Sequence, residues 1–301
     1  MSSVYWLART GCALAKWTPR SMRHGTCSIA GALSYASWRE KRLVTQRNMA
    51  QISGLPVDHP HVRRLALASW YNYGRYAADF LYFPQVDGEQ LQRGAVDLSQ
   101  GVSSWVELAD AAFKPGHGAI LTTAHFGNWD FAGAVFTSRF PLSAVAETFS
   151  DARLNTLLQN QRIAKGIGIL PMEGSARRIL RVLQQNQFVA IVADRPVSAD
   201  EGVPIIFFGR RTYVPAGPAA LALKTGAALL PGFVWYGSRQ RFYLRAFPPI
   251  FPEEAKGKSK DDAIAYLTQR TYDALEEMVR EWPTQWYMFR PFWPEQSEIN
   301  K

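Results

Sequence analysis

Apolar and polar positions alternate in blocks along most of the chain beyond residue 116. Short apolar runs, each of the length of a strand, lie at 119–124, 142–147, 167–172, 188–194, 204–209, 228–236 and 241–247. Stretches with helical periodicity separate them, at 129–138, 151–165, 175–186, 216–225 and 261–281. Strands that alternate with helices in this way predict an α/β fold, with a central, mostly parallel sheet flanked by helices.

The N-terminal part of the chain has a different pattern, which predicts helices. Residues 62–83 carry apolar and aromatic side chains on every face, as expected where a helix is buried or contacts lipid. The polar segment 85–116 separates this part from the first predicted strand. We therefore predict two parts, a helical region at 1–85 and an α/β domain at 86–301.

A histidine and an aspartate enclose the turn after the first predicted strand. His125 and Asp130 would lie about 140° apart on one helix, so they meet only if His125 is in the turn and Asp130 in the first helical turn. Asn128 is a plausible N-cap between them. An aspartate beside an imidazole fixes its tautomer and raises its basicity, as general-base catalysis requires. Alternatively, Asp130 only complements the helix dipole, and His125 is a satisfied core histidine.

Other polar side chains follow further predicted strands. Glu147 and the pair Asp194-Arg195 each come directly after an apolar run, and parallel strands bring such positions to one edge of the sheet. The Asp194-Arg195 pair is interpreted as a site for a substrate hydroxyl or phosphate, or as an internal salt bridge. Arg162, on a predicted helix, either clamps a phosphate or lies on a solvated face.

Several common catalytic motifs are absent from the sequence. There is no G-x-S-x-G elbow, no G-x4-G-K-[ST] loop and no G-x-G-x-x-G. The histidines form no spaced cluster for a metal, and two cysteines make no disulfide framework. A candidate base without a protein nucleophile favours direct attack by a substrate hydroxyl on an activated acyl group.

Charge and aromatic content indicate a membrane surface. The net charge of +9 suits anionic lipid or phosphate, and no nucleic-acid-binding module is recognisable, so we predict no nucleic-acid partner. The charge-free stretch 25–38 is shorter than the about 20 residues that cross a bilayer. Aromatic residues near the N-terminus, including Trp6, Trp17 and Trp38, alternate with basic ones and predict helices lying on a membrane. The alternative is an ordinary amphipathic helix packed on the domain.

Five blocks of sequence together resemble the bacterial lipid A biosynthesis acyltransferase family, within the glycerolipid acyltransferase superfamily. The blocks are 125–130, 146–148 with Arg162, 193–195, 208–218 with 225–227, and 283–294. The short Asp194-Arg195 block, the Pro-Ala-Gly-Pro segment at 215–218 and the Gln-Trp-Tyr-Met segment at 285–288 are most similar to the phosphatidylinositol mannoside acyltransferase branch. The competing branch contains the late acyltransferases of lipid A synthesis.

The resemblance implies a glycerolipid acyltransferase-like fold and an O-acyltransferase. His125 would be the general base and Asp130 its orienting carboxylate, while Glu147, Arg162 and Asp194 would bind substrate. The co-substrate would be a thioester of coenzyme A or acyl-carrier protein, without a metal or bound cofactor. The acceptor would be a hydroxyl of a membrane glycolipid, such as a phosphatidylinositol mannoside or a lipid A precursor.

The resemblance also implies a location, at the cytoplasmic face of the inner membrane, where the enzyme would be peripheral. The N-terminus departs from the lipid A enzymes, which usually carry one clear membrane-spanning helix, so the mode of attachment and the acceptor stay open. Two other functions are compatible with the sequence. One is a lysophospholipid acyltransferase of general phospholipid synthesis, and the other is a non-catalytic lipid-binding protein on the same fold.

Overall fold

The computed structural model of the chain describes residues 3–99, 104–237 and 241–294. Residues 295–301, the end of the predicted α/β domain, lie outside these ranges. The α-helices in the described part are α1 Ser3–Ala15, α2 Arg20–Ser37, α3 Arg39–Ser53, α4 Pro60–Tyr82, α5 Gly88–Gly94, α6 Trp105–Phe113, α7 Trp129–Thr137, α8 Ala152–Ile163, α9 Ala176–Gln184, α10 Gly217–Thr225 and α11 Lys260–Glu281.

The described strands form a seven-stranded sheet and a separate hairpin. They are β1 Val96–Asp97, β2 Ala119–Thr123, β3 Leu142–Ala146, β4 Ile167–Pro171, β5 Phe188–Val192, β6 Val203–Phe207, β7 Arg210–Val214, β8 Ala228–Tyr236 and β9 Phe242–Ala246. The order across the sheet is β1-β9-β8-β2-β5-β3-β4, and only the β8–β9 pair is antiparallel. The predicted fold class, a mostly parallel sheet flanked by helices, is therefore confirmed.

The central strand β2 shows why the sheet is covered on both faces. Ala119 and Leu121 belong to the apolar cluster with α6 and α7, whereas Ile120 belongs to the cluster with α9, α10 and α11. All three residues are at most 6% exposed. Side chains alternate between the faces of a strand, so an uninterrupted apolar run requires a helical layer on each side. The carboxyl end of β2 then delivers His125 to the edge of the sheet.

The helices of the N-terminal region pack closely on one another. A Cβ atom on Gly31 of α2 would lie 2.3 Å from the Trp70 carbonyl oxygen, and one on Gly74 of α4 would lie 2.2 Å from that of Cys27. The α2 and α4 backbones therefore touch at positions where only glycine fits. Within the residues that the structure describes, no helix is both long and apolar enough to cross a membrane. The division into parts at residue 85 stays a prediction.

Two regions differ from the sequence-based expectation. The segment 85–116, which the sequence analysis describes only as a polar segment between the two parts, contains the helices α5 and α6. Helix α6 begins with a capping box formed by Ser104 and Glu107. The predicted strand 204–209 is one arm of the antiparallel β6–β7 hairpin, which turns at Phe208 and Gly209, both at positive φ. The second arm, Arg210–Val214, is not predicted from the sequence, because it begins with two arginines and lacks a continuous apolar run.

Candidate functional site

The candidate site is a cavity of about 440 Å³ at the carboxyl ends of β2, β3 and β5. His125 lies in the turn between β2 and α7, as predicted. Gly127 allows this turn to approach β8, because a Cβ there would lie 2.2 Å from the Val234 carbonyl oxygen. The C-terminal segment holds the turn from the other side, where the Tyr287 N–H donates to the His125 carbonyl oxygen at 2.8 Å.

The carboxylate that contacts the His125 ring is Asp194, in the loop that directly follows β5. Nδ1 of His125 lies 2.7 Å from Oδ1 of Asp194, and the His125 backbone N–H donates to Oδ2 at 3.0 Å. Nε1 of Trp286 also donates to Oδ2, at 2.9 Å. The Asp194 side chain has no exposed surface, whereas 24% of the His125 side chain is exposed to the cavity side. Nε2 of His125 is therefore the ring nitrogen available to a substrate.

The surroundings of Asp194 favour its ionised form. Burial alone would raise the pKa of this carboxyl, but the His125 ring and the donors from Trp286 and the His125 backbone lower the pKa below its ordinary value. A carboxylate held in this way fixes the imidazole with Nδ1 as the protonated nitrogen. The same carboxylate would stabilise an imidazolium if Nε2 accepted a proton.

Asp130 does not take the orienting position that sequence spacing suggested. Its Oδ1 accepts from Nε of Arg162 at 2.7 Å, and its Oδ2 accepts from the Tyr76 hydroxyl at 2.7 Å. Asp130 is 4% exposed and points from the first turn of α7 toward α4 and α8. The expected contact of Asp130 with His125 is thus corrected to a contact of Asp194 with His125. Spacing along the chain did not reveal this contact, because pairing of β2 with β5 brings Asp194, which follows β5, next to the ring.

Arg162 does not lie on a solvated helix face. Part of its guanidinium is already bound to protein groups, so not all of its donors could bind a phosphate. Besides the contacts with Asp130, its Nη1 donates to Oε1 of Gln159 at 3.1 Å. Burial lowers the pKa of Arg162, but the Asp130 charge and hydrogen bond outweigh it and raise the pKa above the ordinary value. Arg162 therefore stays charged and fastens α8 to the start of α7. Substrate contact by Arg162 stays a prediction.

Glu147 lies at the mouth of the cavity, where it pairs with Arg195. The distance from Nη1 of Arg195 to Oε2 of Glu147 is 2.8 Å, and the two side chains are 34% and 48% exposed. Arg290, also exposed, lines the same mouth. The entrance thus carries two cations beside one carboxylate, while the His125–Asp194 pair lies further inside.

The inner part of the cavity is apolar. Small and aliphatic side chains from β2, β3, β4, β5 and α7 line it, namely Leu121, Ala132, Gly133, Leu142, Ala144, Ile167 and Ala190. Leu142 and Ile167 are the first residues of their strands, so the lining extends from the carboxyl ends toward the opposite edge of the sheet. A five-residue strand spans about 13–16 Å. The shape suits an extended hydrocarbon chain whose head lies near His125.

Sequence reasoning assigned no role to several residues of the site. Tyr76, which contacts Asp130, lay in a stretch recognised only as an apolar helix. Trp286 and Tyr287 were quoted as part of the closing motif without a function, yet both hold the His125 turn or its partner. In the described ranges, no three His, Cys, Asp or Glu side chains are grouped so that they could hold a metal ion.

Comparison with known proteins identifies the family. A sequence model described as "Bacterial lipid A biosynthesis acyltransferase" matches residues 1–295. The chain belongs to this family. It is 31% identical over 293 residues to a phosphatidylinositol mannoside acyltransferase of Mycolicibacterium smegmatis, covering 94% of this chain and 89% of that relative. It is also 31% identical over 256 residues to the protein of the same name from Mycobacterium tuberculosis strain H37Rv, covering 82% and 76% respectively. The protein is therefore an acyltransferase, and the family and relatives support acylation of glycolipids.

Proposed function

We propose that this acyltransferase moves a fatty acyl chain from a thioester donor to a hydroxyl of a membrane glycolipid, with His125 as the general base. The observation that carries the proposal is the His125–Asp194 pair at the head of an apolar cavity. The acceptor hydroxyl gives its proton to Nε2 of His125 while its oxygen attacks the thioester carbonyl carbon. Asp194 stabilises the resulting imidazolium.

The second half of the proposed reaction returns the proton. The tetrahedral carbon expels the thiolate of the donor, which takes the proton from Nε2 of His125. One C–O bond has formed and one C–S bond has broken, and the enzyme ends in its starting state. No covalent enzyme intermediate is needed, because the acceptor oxygen is itself the nucleophile.

The two ends of the cavity fit the two ends of a donor. The apolar inner part would take the acyl chain, since each buried methylene contributes about 0.8 kcal/mol. Arg195 and Arg290 at the mouth would contact phosphate groups of coenzyme A or of an acyl-carrier protein. Glu147, paired with Arg195, would orient that cation and contact acceptor hydroxyls.

The proposed location is the cytoplasmic face of the inner membrane, with attachment through α1 and α2. Val4, Leu7 and Leu14 share one face of α1 and are 57%, 75% and 61% exposed. Trp17, between α1 and α2, is 88% exposed, and Arg9 lies on α1. Exposed apolar and aromatic side chains beside basic ones are typical of helices that lie in an anionic membrane surface.

The proposed acceptor is a phosphatidylinositol mannoside, the lipid in the name that both relatives carry. The test is a matrix of acyl-transfer assays with purified enzyme. Donors are acyl-coenzyme A and acyl-carrier protein thioester, and acceptors are a phosphatidylinositol mannoside, a lipid A precursor and a lysophospholipid. Transfer to the mannoside is expected. Transfer to the lysophospholipid alone would establish the general phospholipid enzyme instead, and no transfer to any acceptor would contradict the proposal.

A further inference from the structure

A second buried histidine–aspartate pair lies outside the catalytic cavity. Nε2 of His24, on α2, is 2.7 Å from Oδ1 of Asp79, on α4. The two residues are 9% and 2% exposed. The proposed reaction uses neither of them. Because a buried carboxylate is costly unless its oxygens are hydrogen-bonded, the remaining contacts of Asp79 indicate what the pair does.

The other carboxylate oxygen of Asp79 accepts a hydrogen bond from a residue of the central sheet. The hydroxyl of Tyr236, at the end of β8, donates to Oδ2 of Asp79 at 2.8 Å. Burial and the neighbouring Asp79 charge raise the pKa of Tyr236 well above its ordinary value, so its hydroxyl keeps its proton. The tyrosine oxygen then accepts from Nδ2 of Asn128 at 3.3 Å. The donors therefore point in one direction, from Asn128 through Tyr236 to Asp79.

Asn128 connects this series of hydrogen bonds to the turn that carries His125. Its Oδ1 accepts from the Phe131 backbone N–H at 3.0 Å and so caps α7. Its own backbone N–H donates to the Val234 carbonyl oxygen at 2.8 Å. The bond to Tyr236 selects the amide orientation in which Oδ1 faces the helix, because the flipped amide would present Nδ2 to a backbone donor. Asn128 follows His125 by three positions in the same turn.

We propose that His24, Asp79 and Tyr236 are positioning residues, which hold Asn128 and, through it, the turn that carries His125. None of the three touches the reacting atoms. The inference rests on the proposed function, because the group that they position is the proposed base. It also gives the N-terminal helices a task in catalysis, since α2 and α4 supply two of the three residues.

The first test is the Tyr236→Phe variant, which removes one oxygen and leaves the ring. We expect kcat to fall about 10-fold with KM changed less than about two-fold, because a displaced base impairs the chemical step more than binding. The matched control is Thr45→Val. Thr45, on α3, is fully buried; its hydroxyl accepts from Nε1 of Trp70 at 3.0 Å and donates to the Lys41 carbonyl oxygen, and neither hydrogen bond reaches the turn. Thr45→Val is expected to lower Tm comparably and to leave kcat unchanged.

Further variants at Asn128 and His24 separate positioning from general loss of stability. Asn128→Ser keeps an oxygen for the cap but has no Nδ2, so it breaks the same bond as Tyr236→Phe. The double variant should then be no slower than the slower single variant.

At His24, the other end of this series of hydrogen bonds, His24→Gln retains a donor to Asp79. It should therefore keep more of the wild-type kcat than His24→Leu.

A readout that does not depend on acyl transfer is the NMR signal of the His125 ring. It should shift in Tyr236→Phe and not in Thr45→Val. If the wild-type protein transfers no acyl group, the proposed function fails while this measurement still tests the positioning. The inference is overturned if Tyr236→Phe keeps the wild-type kcat and the His125 signal, or if it raises KM alone.

Discussion

The two members of the His125–Asp194 pair differ in what they can contact. The His125 side chain is 24% exposed, whereas the Asp194 side chain is fully enclosed. An enclosed carboxylate keeps its charge only through its donors, which fits the proposed role of Asp194 in orienting and stabilising the ring. His125 faces the cavity, which fits its proposed role in exchanging protons. At the scale of single residues, the different solvent exposure of the two side chains therefore accounts for their different proposed roles.

The first prediction compares two aspartate variants. Asp194→Asn should lower kcat about 100-fold or more, because the amide cannot stabilise the imidazolium. Asp130→Asn should act chiefly on stability, since Asp130 pairs with Arg162 and Tyr76. Initial rates of acyl transfer and thermal unfolding of both variants provide the measurement. If Asp130→Asn abolishes turnover without a change in Tm and Asp194→Asn stays active, then Asp130, and not Asp194, orients the His125 ring.

A second prediction concerns acid stability. The folded-state pKa of Asp194 is lowered, so the stabilisation from its ionised form is present above the unfolded value of about 3.9 and is lost as pH falls through the folded value. The free energy of urea unfolding should therefore decline as pH falls below about 4. Asp194→Asn should flatten that decline. An equally steep decline in the variant would assign the acid sensitivity to other carboxyls.

The third prediction tests the buried ion pair. Arg162→Ala would leave Asp130, 4% exposed, without its cation and should cost about 3–5 kcal/mol of stability. Arg162→Lys should restore only part of the lost stability, because an ammonium cannot reproduce the two contacts that Nε and Nη2 of Arg162 make with Asp130, at 2.7 and 3.4 Å. Arg153→Ala, on the same helix, breaks an exposed pair with Asp151 and should matter far less. Unchanged Tm together with reduced kcat/KM in Arg162→Ala would instead favour a direct substrate contact.

The sequence located the histidine but not its partner, and the reason is physical. A strand followed by a capped helix places His125 in the turn, which spacing alone can reveal. The contact with Asp194 depends on which strand lies beside β2, and strand order is set by packing over the whole sheet. Asp194 was predicted as a site residue, yet its role as partner of the ring required the sheet.

At the scale of elements, β3, β4 and α7 contribute lining residues to the apolar part of the cavity. A Cβ on Gly133 of α7 would lie 2.8 Å from Cδ1 of Ile167, the first residue of β4. Helix and strand thus approach closely at this point, and the Ile167 side chain would have to shift to admit even a methyl group on Gly133. If the acyl chain lies in this cavity as proposed, Ile167 would limit how far it extends, a property that no local sequence pattern indicates.

The fourth prediction follows from this contact. Ile167→Ala should extend the cavity and shift the preferred donor toward longer acyl chains, whereas Ile167→Phe should favour shorter ones. The measurement is a competition among acyl-coenzyme A donors of different length, with products separated by mass spectrometry. Ile179→Ala removes the same atoms from α9, on the other face of the sheet, and should lower stability without changing the preference. A preference that is unaltered in both Ile167 variants would place the end of the acyl site elsewhere.

For the whole molecule, charge and the exposed face of α1 predict how it meets a membrane. The chain carries a net charge of +9, and Leu7 and Leu14 are largely exposed. Removal of α2 would not test this face cleanly, because α2 and α4 are in backbone contact at Gly31 and Gly74. Point variants on α1 leave that packing intact and are the better choice.

The fifth prediction concerns vesicle binding. The double variant Leu7→Ser with Leu14→Ser should bind anionic vesicles less than wild type in a sedimentation assay. Raising the salt from 0.1 to 1 M shortens the screening length from about 10 Å to 3 Å and should release part of the wild-type protein. The control Val57→Ser changes an exposed residue between α3 and α4. If vesicle binding is the same at both salt concentrations and in the α1 double variant, the membrane contact lies on another surface of the protein.

The measurement closest to the central claim is acyl transfer by His125→Ala. Purified wild type and variant are compared with acyl-coenzyme A and a phosphatidylinositol mannoside, after circular dichroism has shown that both are folded. The proposed mechanism predicts a loss of roughly 100-fold or more in kcat, since the general base is gone. A folded His125→Ala enzyme that transfers acyl chains at nearly the wild-type rate would contradict it.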